Sequence, residues 1–527
     1  MWEGRYATPS GLNRFAGFHV LDTVSFPALL MKVHNTLTQK LEDVVPLEGK
    51  SIRLYTCGPT VYNYAHIGNF RAYIFEDLLR RCIKYFGFEV VQVMNLTDVD
   101  DKTIAGAMKA GVSLDTFTKT FKTAFFEDLK TLNVEPAEYY PAATDHVPEM
   151  IAMIQTLLEK KHAYQSEDGS IYFSVSSFPD YGKLAHLDMA GLRPGARVQQ
   201  DEYEKENVAD FALWKAWDEK DGDVVWDAPW GRGRPGWHIE CSAMATRYLG
   251  ESFDMHTGGV DNIFPHHEDE IAQSEAASGK PYVRYWLHCA HLVVDGRKMS
   301  KSLGNFYTLR DVISRGHSGR EVRYVLMAGH YRQSLNFSFD ALLAARSALQ
   351  RLDEFQERLK QVASNVAGTH PQPLQGGEPE KKGTHQSTVL IPSLEGQGWV
   401  GAESCPDWAA IMKAKFDAGL ADDLNISESL GALFDLVHAG NRAMDAKTLS
   451  GQQAAAVLAM LAGFDSVLGF LAKPGETIPP EALNLLELRQ QARQSKNWPE
   501  ADRVRNELAG LGWIIQDTPQ GPKLKRK

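Results

Sequence analysis

Cysteine is scarce in this chain, as are long apolar runs and excess positive charge. Five cysteines among 527 residues form an odd, widely spaced set. That pattern argues against a secreted disulfide framework and leaves metal binding or catalysis open for some of them. No window approaches the roughly 18 apolar residues that a membrane-crossing helix needs. We therefore expect no membrane span, no signal peptide and a reducing, cytoplasmic compartment.

The net charge and the amino-acid composition exclude further classes of protein. The formal net charge is −11, from 56 Lys and Arg against 67 Asp and Glu, which argues against a protein coated in positive charge for non-specific nucleic-acid binding. The hydrophobic fraction of 43% and the charged fraction of 23% are typical of folded globular proteins, so the chain is neither collagenous nor fully disordered. At roughly 100 to 200 residues per domain, the length predicts about three or four domains.

A strand–helix–strand unit begins the ordered pattern. Residues 51–57 alternate as in a strand, apolar residues on one face predict a helix that ends at Gly87, and residues 88–94 are β-rich. Such units build parallel sheets whose ligands lie at the carboxyl ends of the strands. We expect residues 104–225 to be an insertion between the halves of this sheet, and residues 286–294 to be one buried strand.

The composition changes along the chain and predicts the domain boundaries. We expect an N-terminal extension at 1–30, poorly ordered or an artefact of start assignment, then a catalytic domain at 31–310. Helical spacing predicts a bundle at 311–475, and its Gly-, Pro- and Gln-rich stretch 364–406 is expected to be disordered. Residues 485–527 carry nine positive against five negative residues. This basic end indicates a nucleic-acid contact, the alternative being a solvated helix pair with a charged tail.

Two motifs have the chemistry of a nucleotide site. The run His66-Ile67-Gly68-Asn69 joins a strand to a helix N-terminus, where free backbone N–H groups favour an anion such as phosphate, and His66 and Asn69 add side-chain donors. Downstream, Lys298-Met299-Ser300-Lys301-Ser302 places two lysines on a loop that can neutralise a triphosphate. The alternative for this second motif is an ordinary flexible surface loop.

A third group has the chemistry of a metal site. Cys57 ends the first strand, Cys241 lies in a conspicuous run at 236–244, and His266 and Glu270 are four residues apart, which puts both on one helical face. Two cysteines, a histidine and a carboxylate are a plausible Zn²⁺ set. The alternative is a pair of buried cysteines beside a histidine at the start of a helix.

Other histidines of the chain could also bind a metal. His267 would pair on its helix with Ile271, which favours His266 as the ligand. His288, Cys289 and His291 form a rival cluster, but they fall in the strand that we expect to be buried.

Together, the two nucleotide motifs resemble the paired signatures of the class I aminoacyl-tRNA synthetases, in the right order and on two halves of one sheet. Asn69 stands where that family usually has a histidine; it keeps a hydrogen-bond donor and cannot become cationic. The metal residues narrow the resemblance to the cysteinyl-tRNA synthetases, from about residue 33 to the C-terminus. The stretches 97–102, 253–261, 422–425 and 493–508 agree with it.

The resemblance implies an α/β fold. It consists of a Rossmann-like parallel-sheet catalytic domain with an inserted connective subdomain, an α-helical bundle and a small C-terminal anticodon-binding domain. The implied activity is ATP-dependent conversion of L-cysteine to cysteinyl-adenylate, followed by transfer to the 3′ end of tRNA(Cys). Mg²⁺ would accompany ATP, and we expect a monomer. The rival functions are a ligase that joins activated cysteine to a small-molecule amine, and a non-catalytic zinc- and tRNA-binding protein.

The resemblance also implies roles for individual residues. One zinc ion per chain would select the substrate thiolate. Because four protein ligands would fill a tetrahedral site, this thiolate would either add as a fifth ligand or displace a labile one, for which Glu270 is the candidate. The zinc ligands would be Cys57, Cys241, His266 and Glu270. The amino-acid pocket would be completed by Thr97, Trp237 and His256. The residues that handle ATP would be His66, Asn69, Lys298 and especially Lys301.

Overall fold

The computed structural model describes residues 30–187, 210–364, 405–472, 480–511, 513–518 and 521–526. The expectations for the N-terminal extension before residue 30 and for nearly all of the stretch 364–406 concern residues outside these ranges. Within the described part of the chain, no helix is both long enough and apolar enough to cross a membrane.

The helices and strands are numbered in chain order. The strands are β1 (Lys32–Asn35), β2 (Lys40–Asp43), β3 (Ser51–Thr56), β4 (Glu89–Met94), β5 (Ala163–Gln165), β6 (Ile171–Phe173), β7 (Phe211–Ala216), β8 (Trp226–Ala228), β9 (Gly231–Pro235), β10 (Phe253–Gly259), β11 (Val283–Cys289), β12 (Leu292–Val294), β13 (Arg297–Lys298), β14 (Leu335–Phe337), β15 (Trp513–Thr518) and β16 (Gly521–Arg526). The helices are α1 (Ile67–Tyr85), α2 (Asp101–Ala110), α3 (Leu114–Thr131), α4 (Val147–Glu159), α5 (Trp237–Leu249), α6 (Glu268–Ser278), α7 (Leu309–Ser314), α8 (Gly319–Met327), α9 (Phe339–Ser364), α10 (Asp407–Ala421), α11 (Ile426–Asp445), α12 (Gly451–Leu468), α13 (Pro480–Gln494) and α14 (Trp498–Gly510).

A parallel sheet in the order β11-β10-β3-β4 forms the centre of the catalytic unit. Strand β3, helix α1 and strand β4 form the predicted βαβ unit. Helix α1 buries the apolar face formed by residues such as Ile74 and Leu78, and Gly87, at a φ of 88°, follows its end. The predicted α/β class with a parallel catalytic sheet is therefore confirmed.

An inserted unit separates β4 from β10. It contains α2 to α4 and an antiparallel sheet in the order β5-β6-β7-β9-β8. We expected the insertion to end near residue 225, but β8 and β9 continue this sheet to Pro235. The single strand expected at 286–294 is also divided, into β11 and β12. The break occurs because Ala290 donates its N–H to the Tyr331 carbonyl instead of to a strand neighbour.

One hydrophobic core joins the catalytic sheet to the helical bundle α9 to α12, running from Val33 and Leu54 to Phe464. A buried ion pair reinforces the junction: Arg323 of α8 pairs with Asp77 of α1 and donates to carbonyls at the ends of α3 and α12. The C-terminal unit, with α13, α14 and the hairpin β15–β16, has a separate small core.

Candidate active site and metal centre

The carboxyl ends of β3 and β4 meet at one edge of the sheet. Cys57 directly follows β3, and Gly58 comes so close to the segment after β4 that a Cβ at this position would lie 1.7 Å from the Asn95 carbonyl oxygen. The Gly58 N–H donates to Asn95 Oδ1 at 2.9 Å. Glycine is required here because any side chain would force the two strand ends apart.

Cys57 is part of a cluster of potential metal ligands. One ligand atom each from Cys57, His266, His267 and Glu270 lies within 4.8 Å of the others. Cys241, in the second turn of α5, is hydrogen-bonded to Cys57 and to His266. Three of the four residues that the sequence singled out therefore share one cluster with His267, and Cys241 lies beside it in contact with Cys57 and His266.

His267 belongs to the same cluster, although the helix-face argument set it aside. Its Nε2 lies 3.3 Å from Cys57 Sγ, while His266 Nε2 lies 3.1 Å from Glu270 Oε1. Both histidines reach the cluster because they sit in a wide turn, Ile263–His267, in which Phe264 has non-helical backbone angles. The helix itself begins only at Glu268, so the helix-face argument does not exclude His267, although His266 does contact Glu270 four residues on, as predicted.

The rival cluster is dispersed. His288 Nε2 contacts His267 Nδ1 at 2.8 Å, and its Nδ1 contacts the Thr36 hydroxyl, so this histidine supports the first cluster from behind. Cys289 Sγ faces the backbone carbonyl of Arg71 at 3.9 Å. In the part of the chain that the structure describes, His288, Cys289 and His291 form no ligand group of their own.

Buried charges make the cluster suited to a cation. A hydrogen bond from the Cys57 thiol lowers the pKa of Cys241 to about 6, in spite of its burial. Burial alone would raise the pKa of Glu270, but His256 and His266 lower it to about 2. Burial would lower the pKa of His266, but the negative charges of Cys241 and Glu270 raise it to about 10. A thiolate and a carboxylate are therefore held together in a buried site, where a divalent cation would be a strong counter-charge.

The three residues expected in the amino-acid pocket surround this cluster. Trp237 stacks on His266 with ring centroids 4.3 Å apart, and His256 Nε2 contacts Glu270 Oε2 at 3.0 Å. The buried hydroxyl of Thr97 donates to Glu240 Oε2 at 3.0 Å and accepts from Asn95 Nδ2 at 3.2 Å. Sequence reasoning missed Glu240, whose carboxyl group is buried, adjoins Cys241 in the chain and holds Thr97 in place.

His66 and Asn69 form a reciprocal cap at the N-terminus of α1. The Asn69 N–H donates to His66 Nδ1, and the His66 N–H donates to Asn69 Oδ1, both at 3.1 Å. Because Nδ1 accepts, a neutral His66 carries its proton on Nε2, which is then a hydrogen-bond donor. Asn69 thus has a structural role at this position, because its amide oxygen completes the cap of the helix terminus.

The two nucleotide motifs lie against each other. A Cβ on Gly68 would be 3.1 Å from Met299 Cε, and the Ile67 N–H donates to the Tyr307 carbonyl at 3.0 Å. Lys298 is exposed at the end of β13, and Lys301 begins a short 3-10 turn. Asn305 ties the loop together, since its side chain accepts from the Ser300 N–H and donates to the Lys298 carbonyl.

Comparison with known proteins assigns each part of the chain. The models of three families match: tRNA synthetases class I (C) catalytic domain at residues 43–347, DALR domain at 415–472, and Cysteinyl-tRNA ligase anticodon binding domain at 476–522. Among solved structures, the methionyl-tRNA synthetase of Mycobacterium tuberculosis in complex with methionyl-adenylate superimposes with a TM-score of 0.55 at 17% identity, covering 83% of this chain and 94% of that one. This likeness concerns the fold alone.

Curated relatives are much closer in sequence. The cysteine–tRNA ligase of Protochlamydia amoebophila (strain UWE25) is 50% identical over 502 residues, which cover 94% of this chain and 98% of the relative. That of Chlamydia felis (strain Fe/C-56) is 48% identical over 496 residues, which cover 94% of this chain and 97% of the relative. The matches span nearly the whole of both chains. The chain therefore belongs to the cysteine–tRNA ligase family of class I aminoacyl-tRNA synthetases.

Proposed function

We propose that this chain activates L-cysteine with ATP and transfers it to the 3′ end of tRNA(Cys). The observation that carries the proposal is the position of a buried thiol, imidazole and carboxylate cluster beside Trp237 and His256, at the same edge of the sheet as the capped N-terminus of α1. One side of this edge is suited to the thiol side chain of cysteine, and the other side is suited to the phosphates of ATP.

In the first step, the cysteine carboxylate attacks the α-phosphate of ATP, and pyrophosphate leaves. The protein supplies positioning and charge stabilisation and forms no covalent bond to the substrate. His66 donates from Nε2, and the N-terminus of α1 offers backbone N–H groups to phosphate. Lys298 and Lys301 neutralise the charge that develops on the departing pyrophosphate, and Mg²⁺ enters with ATP. In the second step, a ribose hydroxyl of the tRNA attacks the activated carbonyl, and AMP leaves.

We further propose that Cys57, Cys241, His266 and Glu270 hold one Zn²⁺. The donor types fit this ion, because sulfur, imidazole and carboxylate groups are its usual ligands. Cys57, His266 and Glu270 have ligand atoms within 4.8 Å of one another, and the buried Cys241 is hydrogen-bonded to both Cys57 and His266. When bound, zinc favours a substrate thiolate over the hydroxyl of serine. Shape alone discriminates such close analogues by only about ten- to a few-hundred-fold, whereas an obligatory polar contact can reach about 10⁴ to 10⁵.

His256 and Tyr282 prepare Glu270 for the role of a loosened ligand. Both contact its Oε2, at 3.0 and 3.4 Å. A carboxylate that leaves its metal position would therefore retain hydrogen-bond partners and would not be stranded in a buried site. His267, 3.3 Å from Cys57, is the second imidazole within reach and can hold the Cys57 sulfur in position.

The test is amino-acid-dependent exchange of pyrophosphate into ATP, measured with each of the 20 amino acids, followed by charging of tRNA. We expect exchange with cysteine alone, at least about 10⁴-fold above serine, and loss of exchange after zinc is removed by a chelator. Exchange with another amino acid, or cysteine exchange that is insensitive to metal removal, would contradict the proposal. A cytoplasmic location and a monomeric state remain predictions, to be checked by cell fractionation and by light scattering.

A further inference from the structure

A chamber of about 250 Å³ opens between the catalytic unit and the inserted sheet. Its walls come from the loop after β3, the start of α2, strands β7 and β9, and the start of α5. Trp237 is the wall that it shares with the metal cluster: the indole lines the chamber and also stacks on His266. Any group bound in the chamber would therefore lie next to the amino-acid site.

Among the charged residues that line the chamber, one lysine forms no ion pair with a carboxylate in the described part of the chain. Asp101 is neutralised by Lys215 and Arg234, and Asp100 caps α2 by accepting backbone N–H groups. Lys102 has no carboxylate within ion-pair distance in the described ranges. Its ammonium lies 5.3 Å above the ring of Tyr62 instead. A single available positive charge suits one phosphodiester and is too little for a triphosphate.

Exposed aromatic rings continue from the chamber along the loop that precedes α1. Tyr62 and Tyr64 are each 39% exposed, and Trp237 is 37% exposed. Arg310 lies 5.2 Å above the ring of Tyr64, but unlike Lys102 it is ion-paired with Glu127 and Asp128. Rings beside cations are how proteins hold unpaired nucleotides, because every base can stack on them and the cation meets the backbone.

We infer that Tyr62, Tyr64 and Lys102 bind the unpaired 3′ end of an RNA and direct its last nucleoside into the chamber against Trp237. The inference rests on the proposed function and identifies where the second substrate reaches the activated cysteine. The volume is below the roughly 300 Å³ of sites for drug-sized ligands, which suits a single nucleoside. An adenylate has only one base to stack, whereas the chamber and the loop offer three exposed rings, so an RNA strand is the better occupant.

The test compares the two half-reactions in Tyr62→Ala and Lys102→Ala. Pyrophosphate exchange should stay within about 2-fold of wild type, while single-turnover transfer from preformed adenylate to tRNA should slow about 5- to 100-fold, the loss expected for one stacked base. Lys109→Ala, an exposed lysine on the same helix outside the chamber, and Tyr139→Ala, an exposed tyrosine elsewhere, are the matched controls. Both should leave transfer unchanged.

Binding of shortened RNA separates contact with the 3′ end from general damage. Wild type should bind full-length tRNA about 5- to 100-fold more tightly than tRNA that lacks its unpaired 3′ nucleotides, and this ratio should fall towards one in Tyr62→Ala. Tyr62→Phe should restore it, because the ring is kept. The inference is overturned if exchange falls together with transfer, since the chamber would then hold the adenylate, or if the ratio is unchanged. Failure of the wild-type enzyme to exchange pyrophosphate with cysteine would instead refute the proposed function.

Discussion

Gly58→Ala should disable the active site without introducing any charge or polar group. The added Cβ would lie 1.7 Å from the Asn95 carbonyl oxygen and 2.9 Å from the carbonyl carbon. Both are backbone atoms, so no side-chain rotation can relieve the clash. Ordinary contact begins at 3.4 Å, and the segment after β4 must therefore move away by about 1.7 Å. This movement would separate Cys57 from Asn95 and from Thr97, which Asn95 supports.

The size of this displacement allows the loss of reaction rate to be predicted. A misplacement of about 1 Å can cost about 100-fold in rate. We therefore expect kcat/KM for cysteine-dependent pyrophosphate exchange to fall at least 100-fold, or about 2.7 kcal/mol of transition-state stabilisation. Overpacking of this kind also costs about 1 to 3 kcal/mol of folding stability.

The assay is pyrophosphate exchange at saturating ATP, together with urea unfolding and metal analysis. Gly431→Ala is the matched control, because its Cβ would meet no atom within 4 Å and it lies within α11, where alanine should stabilise by about 0.5 to 1 kcal/mol. A Gly58→Ala enzyme with wild-type kcat/KM would refute the reasoning. Such a result would mean that the two strand ends can separate without disturbing the site.

Three further predictions concern the metal, the phosphate lysine and the C-terminal unit. Cys241→Ala and His266→Ala should each remove the zinc ion, whereas Glu270→Gln should keep it and raise KM for cysteine. Elemental analysis measures the metal, and exchange kinetics measure KM. Full metal content in both Cys241→Ala and His266→Ala would contradict the ligand set. Lys301→Ala should slow adenylate formation by about 2 to 4 kcal/mol while cysteine binding changes little, and equal losses in both would refute a transition-state role. Deletion of residues 480–527, which removes the whole C-terminal core, should preserve exchange and weaken charging, and tRNA binding by the full chain should weaken as salt rises. A truncated enzyme that still charges tRNA at the wild-type rate would show that this unit does not read the RNA.

Much of the fold could be predicted from hydrophobic spacing. The helix ending before Gly87 and the strands on either side of it follow from periodicities of 3.6 and 2 residues, and they are present as β3, α1 and β4. The division of the stretch 286–294 could not be predicted in this way. It depends on a hydrogen bond from Ala290 to Tyr331, about 40 residues away, which no local pattern contains.

The candidate site could be predicted where it depends on residue type. It was harder to predict where it depends on the residue at which a helix begins or on contacts between distant segments. Cys57, Cys241, His266 and Glu270 could be singled out because few side chains bind zinc. Cys57, His266 and Glu270 do share one cluster, and Cys241 is hydrogen-bonded to Cys57 beside it. His267 was missed because helical spacing was applied to residues that precede the helix. Glu240 was missed because its contact with Thr97 joins α5 to the segment after β4. These two segments are far apart in the chain, and no local sequence pattern predicts that they meet.

The continuous core between the catalytic sheet and the helical bundle determines how the protein loses its structure. Because Leu54 and Phe464 belong to one buried cluster, and because Arg323 bonds across the junction, neither part can open without exposing the apolar surface of the other. Melting of these two parts should therefore be a single cooperative event, while the C-terminal unit, with its own small core, opens separately at lower cost. Partial denaturation would then leave molecules that still form adenylate but no longer hold the far end of the RNA, and molecules of the reverse kind would not accumulate.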